Sequence, residues 1–431
     1  MFDNIPAEQI KYIFENTDDA VCVVSSSGVL MDSNPSAEKL FGIPANSNIK
    51  IWDAIPYVEG NDDLIQLFID AVTQKLTSQE AIVDYVSNEG QVHNLHVRLT
   101  FYKGDVSLYL IVITDLTKLI KVESAFARYT SPDIADYVLT TSEGQKRGGV
   151  TQEVTIMMSD LRGFTALATT MSAQRLINLL NHYFEKMVSV IEKYHGTVIE
   201  FLGDGIFVVF GAPKEWPDHA TLAVSCGIEM QNAIKEVNEW NRENGYPDLE
   251  MGIGINTGSV VVGNIGSEKK MKYGCMGSPV NTAGRLEALT IGGQLLITEN
   301  TRQLLKENIE YISDGAFLPK GSTKELKYYE VTGMGSLTLD VRGRDIEWGE
   351  EVPEECSFFM LEAKTVIEEE LKGTILKASK DLKFAVLKTD RELPLRQNIM
   401  VQKNGSRIYA KVIRKEPDGY IVCFTSVMQG V

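Results

Sequence analysis

The stretch VIEFLGDGIFVVFG, residues 198–211, decides the reading of this chain. Two apolar runs flank Asp204-Gly205, a strong short-range signal for a tight hairpin. Glu200 and Asp204 stand among those apolar residues. Buried carboxylates are costly to keep charged, so each needs a reason to be there.

Upstream, VTIMMSD reads as a buried strand that ends at Asp160, and LRGFT follows it. Ser172 is placed to cap a helix with Leu176, Leu179, Leu180, Tyr183, Met187, Val190, Ile191 and Tyr194 on one face, closed by Gly196. After the hairpin a second helix spans about 218–243, and strand patterns return at LEMGIGIN and SVVVGNIG. The order strand, helix, two strands, helix, strand specifies an α+β sandwich of ferredoxin-like type.

In such a sheet the first strand lies beside the hairpin, which brings Asp160 and Asp204 together. Two close carboxylates repel unless a proton or a cation intervenes. A pair of Mg²⁺ ions answers the repulsion and supplies a clamp for in-line displacement at phosphorus. The backbone N–H groups from Leu161 to Thr165, Phe164 included, turn into a helix and are placed to hold a triphosphate. Either aspartate alone reads as a turn or cap residue. Together, with both motifs intact, they favour metal.

SDLRGFT (159–165), FLGDGIFVVFG (201–211), INTGSVVVGNIGS (255–267) and GSPVNTAGRLE (277–287) occur in order across about 185 residues. Jointly they resemble the class III nucleotidyl cyclase signature. The resemblance implies conversion of a nucleoside triphosphate to a 3′,5′-cyclic nucleotide and pyrophosphate, with Mg²⁺ or Mn²⁺, two ions per site. It implies that Asp160 and Asp204 bind metal, and that Asn281 and Arg285 orient the ribose and stabilise the transition state. Ser278 and Pro279 look like the N-cap and first turn of a helix, which puts Asn281 and Arg285 on one face. The alternative for Arg285 is a surface ion pair. LPKGSTKEL resembles the late strand whose lysine contacts phosphates: Lys320 matches, and the next cation falls near Ser322 or Lys324. In the family the active sites form between subunits, so a homodimer with two equivalent sites is expected and a monomer should be inactive.

By register, Glu200 takes the base-reading position where adenylyl cyclases usually carry Lys and guanylyl cyclases Glu. A carboxylate accepts from N1–H and N2–H₂ of guanine, whereas the N1 of adenine is itself an acceptor. The second reading position falls at Gly274, which matches neither pattern, and Cys275 is one place too late unless the register shifts. The alternative for Glu200 is a cross-strand ion pair. GTP is favoured over ATP; an adenylate cyclase and an inactive nucleotide-binding scaffold remain open.

At the N-terminal end, AVCVVSSSGVLMDSNPSAEKLFGI, with NPSAEKLFG at 34–42, and the D-x-T triplet Asp115-Leu116-Thr117 resemble a PAS sensor domain, which binds a small-molecule or protein signal in some members and nothing in others. His93 and His96 do not share strand parity and read as surface residues rather than haem ligands. Leu119, Val122, Phe126 and Tyr129 recur at three- and four-residue steps, the seam of a short coiled coil or of a helix packed on its own chain. SPDIADYVL resembles the linker ahead of cyclase domains, and TSEGQKRGG reads as a flexible boundary.

Beyond residue 340, KGTILKAS, LKFAVLKT, SRIYAKVIR and GYIVCFTS suggest a small barrel. It resembles a PilZ domain in degenerate form: Lys377, Ser379 and Leu382 fill the D/N-x-S-x-x-G positions and two of the three fail. Protein interaction or dimer support is the expected role. The fold class is therefore multidomain α+β: a PAS-like α/β sensor (7–116), a helical connector (117–148), a ferredoxin-like class III cyclase domain (149–335) and a small C-terminal β-barrel (340–431).

The bulk numbers agree. The 431 residues are 44% hydrophobic and 23% charged, ordinary for folded protein. The net charge of −17 argues against a nucleic-acid polymer as partner, because phosphate neutralisation needs excess Lys and Arg. Five scattered cysteines suggest reduced thiols, and no apolar run reaches the roughly 20 residues of a membrane span. With no signal-peptide pattern either, a cytoplasmic location is expected.

Overall fold

The computed structural model describes residues 6–42, 47–318, 325–339, 346–362, 365–366, 370–403 and 406–428, and the chain divides into two compact units after Tyr129.

In the first unit the elements run α1 (Ala7–Asn16), β1 (Ala20–Ser25), β2 (Leu30–Ser33), α2 (Pro35–Phe41), α3 (Asp62–Thr73), β3 (Ser78–Val86), β4 (Val92–Tyr102), β5 (Leu108–Asp115) and α4 (Thr117–Tyr129). The strands form an antiparallel sheet in the order β2-β1-β5-β4-β3. NPSAEKLFG folds as its residue types dictate. Buried Asn34 accepts from the Ala37 and Val21 N–H groups at 2.9 Å, Pro35 opens α2, and left-handed Gly42 closes it. Phe41, Phe68, Tyr85 and Tyr109 fill the core. Asp115 accepts the Thr117 N–H (2.8 Å) and its hydroxyl, so the D-x-T triplet starts α4. His93 pairs with Asp115 (2.8 Å) and His96 with Glu80 (2.6 Å), both on the surface. No residue of α4 is buried.

The second unit opens with α5 (Pro132–Thr140), β6 (Gly148–Leu161), α6 (Phe164–Thr170), α7 (Ala173–Lys193), β7 (Thr197–Leu202), β8 (Gly205–Phe210), α8 (His219–Glu243) and β9 (Met251–Ser267). It continues through β10 (Lys270–Met276), α9 (Ser278–Ala288), β11 (Leu295–Thr298), α10 (Glu299–Gln303), β12 (Ile309–Phe317), β13 (Leu326–Met334) and β14 (Leu337–Thr338). The main sheet runs β12-β13-β11-β9-β6-β8-β7. Its β9-β6-β8-β7 part is the ferredoxin-like order. Helices α7 and α8 bury Leu179, Tyr183, Met187, Ile228 and Val237 against the even-numbered residues of β8 and against Met157 and Leu161 of β6. Each large side chain so buried contributes about 1.5–3 kcal/mol. The opposite face of β6 and β8, with Val154, Ile156, Phe207 and Val209, packs with Ile134 of α5 and Ala283 of α9.

The structure corrects several local expectations. Ser172 precedes α7, but its side chain makes no capping bond. The left-handed residue that ends α7 is His195 (φ 57°), and the Gly196 N–H returns to Ile191 at 2.9 Å. The hairpin turn is Gly203-Asp204 rather than Asp204-Gly205: Leu202 pairs with Gly205, and Gly203 takes the positive φ of 72°. The two strand patterns after α8 are one continuous strand, β9. TSEGQKRGG is pinned rather than free, because the Asn264 amide donates to the Gly144 (2.6 Å) and Lys146 (3.2 Å) carbonyls and β6 already begins at Gly148.

Gly254 seats α9 on the sheet. A Cβ there would lie 2.3 Å from the Glu287 nitrogen and 2.8 Å from the Ala283 oxygen, both helix backbone. Gly254→Ala should therefore push α9 off β9 and cost about 1–3 kcal/mol. A thermal melt checks this, and an unchanged Tm would contradict it.

The C-terminal segment comprises β15 (Trp348–Glu362), β16 (Thr365–Val366), β17 (Leu371–Ser379), β18 (Phe384–Lys388), β19 (Asn398–Lys403), β20 (Ser406–Glu416) and β21 (Gly419–Met428). β15 pairs with both β17 and β19, which closes β15-β17-β18-β21-β20-β19 into a six-stranded barrel. Phe358, Leu387, Ile399, Val401 and Val412 fill it. Among the described residues no helix is long and apolar enough to cross a membrane.

Candidate active site

Asp160 lies near the end of β6 and Asp204 in the turn between β7 and β8. Antiparallel pairing of β6 with β8 sets them side by side: Asp160 Oδ1 is 3.4 Å from where a Cβ on Gly205 would stand. Asp204 accepts the Leu161 N–H at 3.2 Å. Burial first, and then the charge of Asp160, push the Asp204 carboxyl up to about 6. A site that raises a carboxylate in this way is short of positive charge. Among the described residues no three His, Cys, Asp or Glu side chains converge. Two hard oxygen donors without a closed cage fit Mg²⁺ or Mn²⁺, which take their remaining ligands from water and phosphate.

Arg162 is a site residue that the sequence reading passed over. It is largely buried, its guanidinium lies 3.8 Å from Asp160, and it donates to the Glu287 carboxylate and, at 2.9 Å, to the Thr290 hydroxyl. It thus ties the Asp160 loop to the end of α9. Burial pulls the guanidinium down, and Asp160 and Asp204 oppose that shift. The signal was the charge itself: an arginine two residues after a carboxylate that must be held in place. Of the amides expected to hold phosphate, Leu161 N–H is taken by Asp204 and Arg162 N–H by the Glu250 carbonyl (2.7 Å). That leaves Gly163, Phe164 and Thr165, where α6 begins; the Phe164 ring itself packs on the core.

Glu200 forms an ion pair with Lys272 of β10, at 2.6 Å. This is a version of the ion-pair alternative, with the partner on β10 instead of across the hairpin. Lys272 and Gly274 are two apart on one strand and share a face, whereas Tyr273 and Cys275 point into the core. Cys275 pairs with Val262 in regular register, so no shift brings it to the reading position. Glu200 and Lys272 therefore pair on the face of β10 that Gly274 shares, and both side chains are about half exposed.

Pro279 opens α9 as expected, but the N-cap is Gly277 and Ser278 is the first helical residue. Ala283 and Leu286 bury one side of the helix, leaving Asn281 exposed and Arg285 half-buried. Among the described residues neither side chain has a hydrogen-bonding partner. Lys320 and Lys324 lie outside the described residues.

With this geometry in place, the likeness to known proteins is specific. Residues 149–333 match the adenylate and guanylate cyclase catalytic domain, and residues 8–73 match a PAS domain. The 149–333 segment belongs to the class III cyclase catalytic-domain family, and a PAS domain precedes it. Among curated relatives, Adenylate cyclase 1 of Rhizobium meliloti (strain 1021) is 29% identical over 211 residues, covering 48% of this chain and 32% of the relative. The chain spans about a third of the length of the curated relatives it matches. Among solved structures, the guanylyl cyclase Cya2 is 45% identical, covering 45% of this chain and all of that one, with a TM-score of 0.44. The adenylyl cyclase CyaB from P. aeruginosa is 35% identical over 44% of this chain and 99% of that one, with a TM-score of 0.42. Domains of this family generally use divalent metal ions.

Proposed function

We propose that this chain is a sensor-linked guanylate cyclase, which converts GTP to 3′,5′-cyclic GMP and pyrophosphate at sites shared by two copies. The ribose 3′-hydroxyl gives up its proton to water, its oxygen bonds to the α-phosphorus, and the bond to the departing pyrophosphate breaks. Asp160 and Asp204 would hold the divalent ions, which supply Lewis acidity toward the phosphates and the attacking oxygen. The free amides at the start of α6 would bind triphosphate. Asn281 would orient the ribose, and Arg285 would meet charge developing on the phosphoryl group with a planar fork of donors. The outward face of α9 supports a site completed by a second copy. Five buried free cysteines fit a reducing compartment such as the cytoplasm.

The observation that carries the choice of base is the Glu200 carboxylate paired with Lys272, two residues before Gly274 on the same face of β10. Glu200 can accept from guanine, and the missing side chain at 274 leaves it as the acidic reader. A second reading rests on Lys272: its ammonium, 2.6 Å from Glu200, is a donor in the same pair and could serve the N1 acceptor of adenine. Product analysis of the purified protein with GTP and with ATP, in Mg²⁺ and in Mn²⁺, separates the two. Cyclic AMP alone would sink the GTP reading. Glu200→Lys combined with Gly274→Asp should shift the GTP-to-ATP ratio of kcat/KM by about 100-fold toward ATP, because the wrong base then leaves a charged reader without its hydrogen-bond partner. An unmoved ratio means the base is read elsewhere.

A further inference from the structure

The C-terminal barrel reaches the cyclase domain through two buried basic side chains, Lys411 and Arg396. Lys411 of β20, only 3% exposed, donates from its ammonium to the main-chain carbonyls of Ala288 and Thr290, the latter at 2.8 Å. Ala288 is the last residue of α9, and the last carbonyls of a helix have no partner within it. Burial, with Arg162 and Arg396 nearby, pulls the Lys411 side chain down to about 7, so its hydrogen-bond donors rather than a full charge hold these carbonyls. Beside Lys411, Arg396 donates to Gln294 at 2.9 Å and to Glu330 at 3.2 Å, while the Gln294 amide donates to Glu330 at 2.9 Å. Arg396 holds a left-handed backbone (φ 66°) with its N–H on the Val412 carbonyl at 2.7 Å; a non-glycine residue stays there only when its surroundings fix it.

The residues gripped this way, Ala288, Thr290 and Gln294, span the end of α9 and the link that joins it to β11. Arg162 holds the same link from the Asp160 side. Fully buried Thr290 is thus fastened through its hydroxyl by Arg162 and through its carbonyl by Lys411. Burying basic groups costs desolvation, and an apolar contact would join two modules as well. What the donors add is direction, since they fix where the carbonyls of α9 point and therefore the axis of the helix.

We propose that the barrel positions α9: Lys411, supported by Arg396, is a positioning residue that keeps the face bearing Asn281 and Arg285 in its working orientation. The inference rests on the cyclase roles proposed above for those two residues. The test uses the full chain and Lys411→Met, which keeps the stem and removes the donors. The expected kcat falls about 10- to 100-fold, as for other small misplacements of catalytic groups, while KM for the nucleotide changes little. Hydrogen exchange across 283–294 should quicken while β6 and β8 stay protected. In an Arg285→Ala background the same change should cost clearly less than in wild type, because part of its effect passes through Arg285.

Arg396→Gln should reproduce the pattern if Lys411→Met fails to fold. A kcat within about twofold of wild type, unchanged exchange across α9, or a full additional loss in the Arg285→Ala background each overturns the proposal. So does an equal loss in Lys380→Ala, a change on the exposed barrel surface beside Glu347. If the wild-type chain makes no cyclic nucleotide, the function reading fails, and the exchange measurement alone decides the clamp.

Discussion

Asp204→Ala is expected to lower cyclic-nucleotide formation by about three orders of magnitude, since metal stabilisation of phosphoryl charge is worth several kcal/mol and each 1.36 kcal/mol is tenfold in rate. The variant should still fold. Its lost main-chain bond to Leu161 is worth about 1 kcal/mol. Against that loss stands a gain. The folded state holds the Asp204 proton more tightly than the unfolded chain, with its carboxyl at about 6. A group shifted upward favours folding while protonated, and that advantage fades as pH rises through the shifted value. Above pH 6 the ionised side chain thus works against the metal-free fold. Metal-free Asp204→Ala should melt close to wild type at pH 7.5, and added Mg²⁺ or Mn²⁺ should raise its Tm less than it raises that of wild type. Turnover within tenfold of wild type would contradict the metal role.

Arg285→Ala is expected to cut kcat by about 100- to 1,000-fold, the usual consequence of removing a donor aimed at developing charge. KM for the nucleotide should move much less, because the interaction forms in the transition state. A surface ion-pair role would leave kcat alone. The two variants also test the shared site together. If Asp204 and Arg285 serve one site from different copies, each variant alone is nearly silent. An equal mixture should recover about a quarter of wild-type activity, since half the dimers are mixed and each mixed dimer has one intact site. No recovery after exchange of subunits would place both groups on one chain.

Much of the site was legible in the sequence because its parts are local. The Asp160 strand, the hairpin between two apolar runs and the helix opened by Pro279 show in local residue types, although the turn falls one residue before Asp204-Gly205 and Gly277 rather than Ser278 is the N-cap. Pairing of β6 with β8 follows from the ferredoxin-like order. What stayed hidden depends on partners distant in sequence. Arg162 stands inside a quoted motif, yet its role shows only where it meets Glu287 and Thr290 across the fold. Lys411 stands in the alternating stretch SRIYAKVIR and reads as solvent-facing; its burial follows from the end of α9 lying against it. β15 escaped because WGEEVPEECSFFMLE carries five acidic residues and Pro353, which demote a strand by composition. The structure accommodates them with irregular pairing before Glu354. Ser172 shows the reverse failure: a favourable residue type at the N-cap position whose hydroxyl makes no capping bond.

Closure of β15 onto β19 restricts how other molecules can attach. A ring of strands has spent its main-chain donors and acceptors internally, so a peptide cannot lengthen it by β-augmentation and must use its loops or outer side chains. Among the described residues, β12 and β7 stand at the two ends of the main strand path of the large sheet. A strand-mimicking peptide drawn to β7 would lie alongside Glu200, away from the Asp160–Asp204 pair.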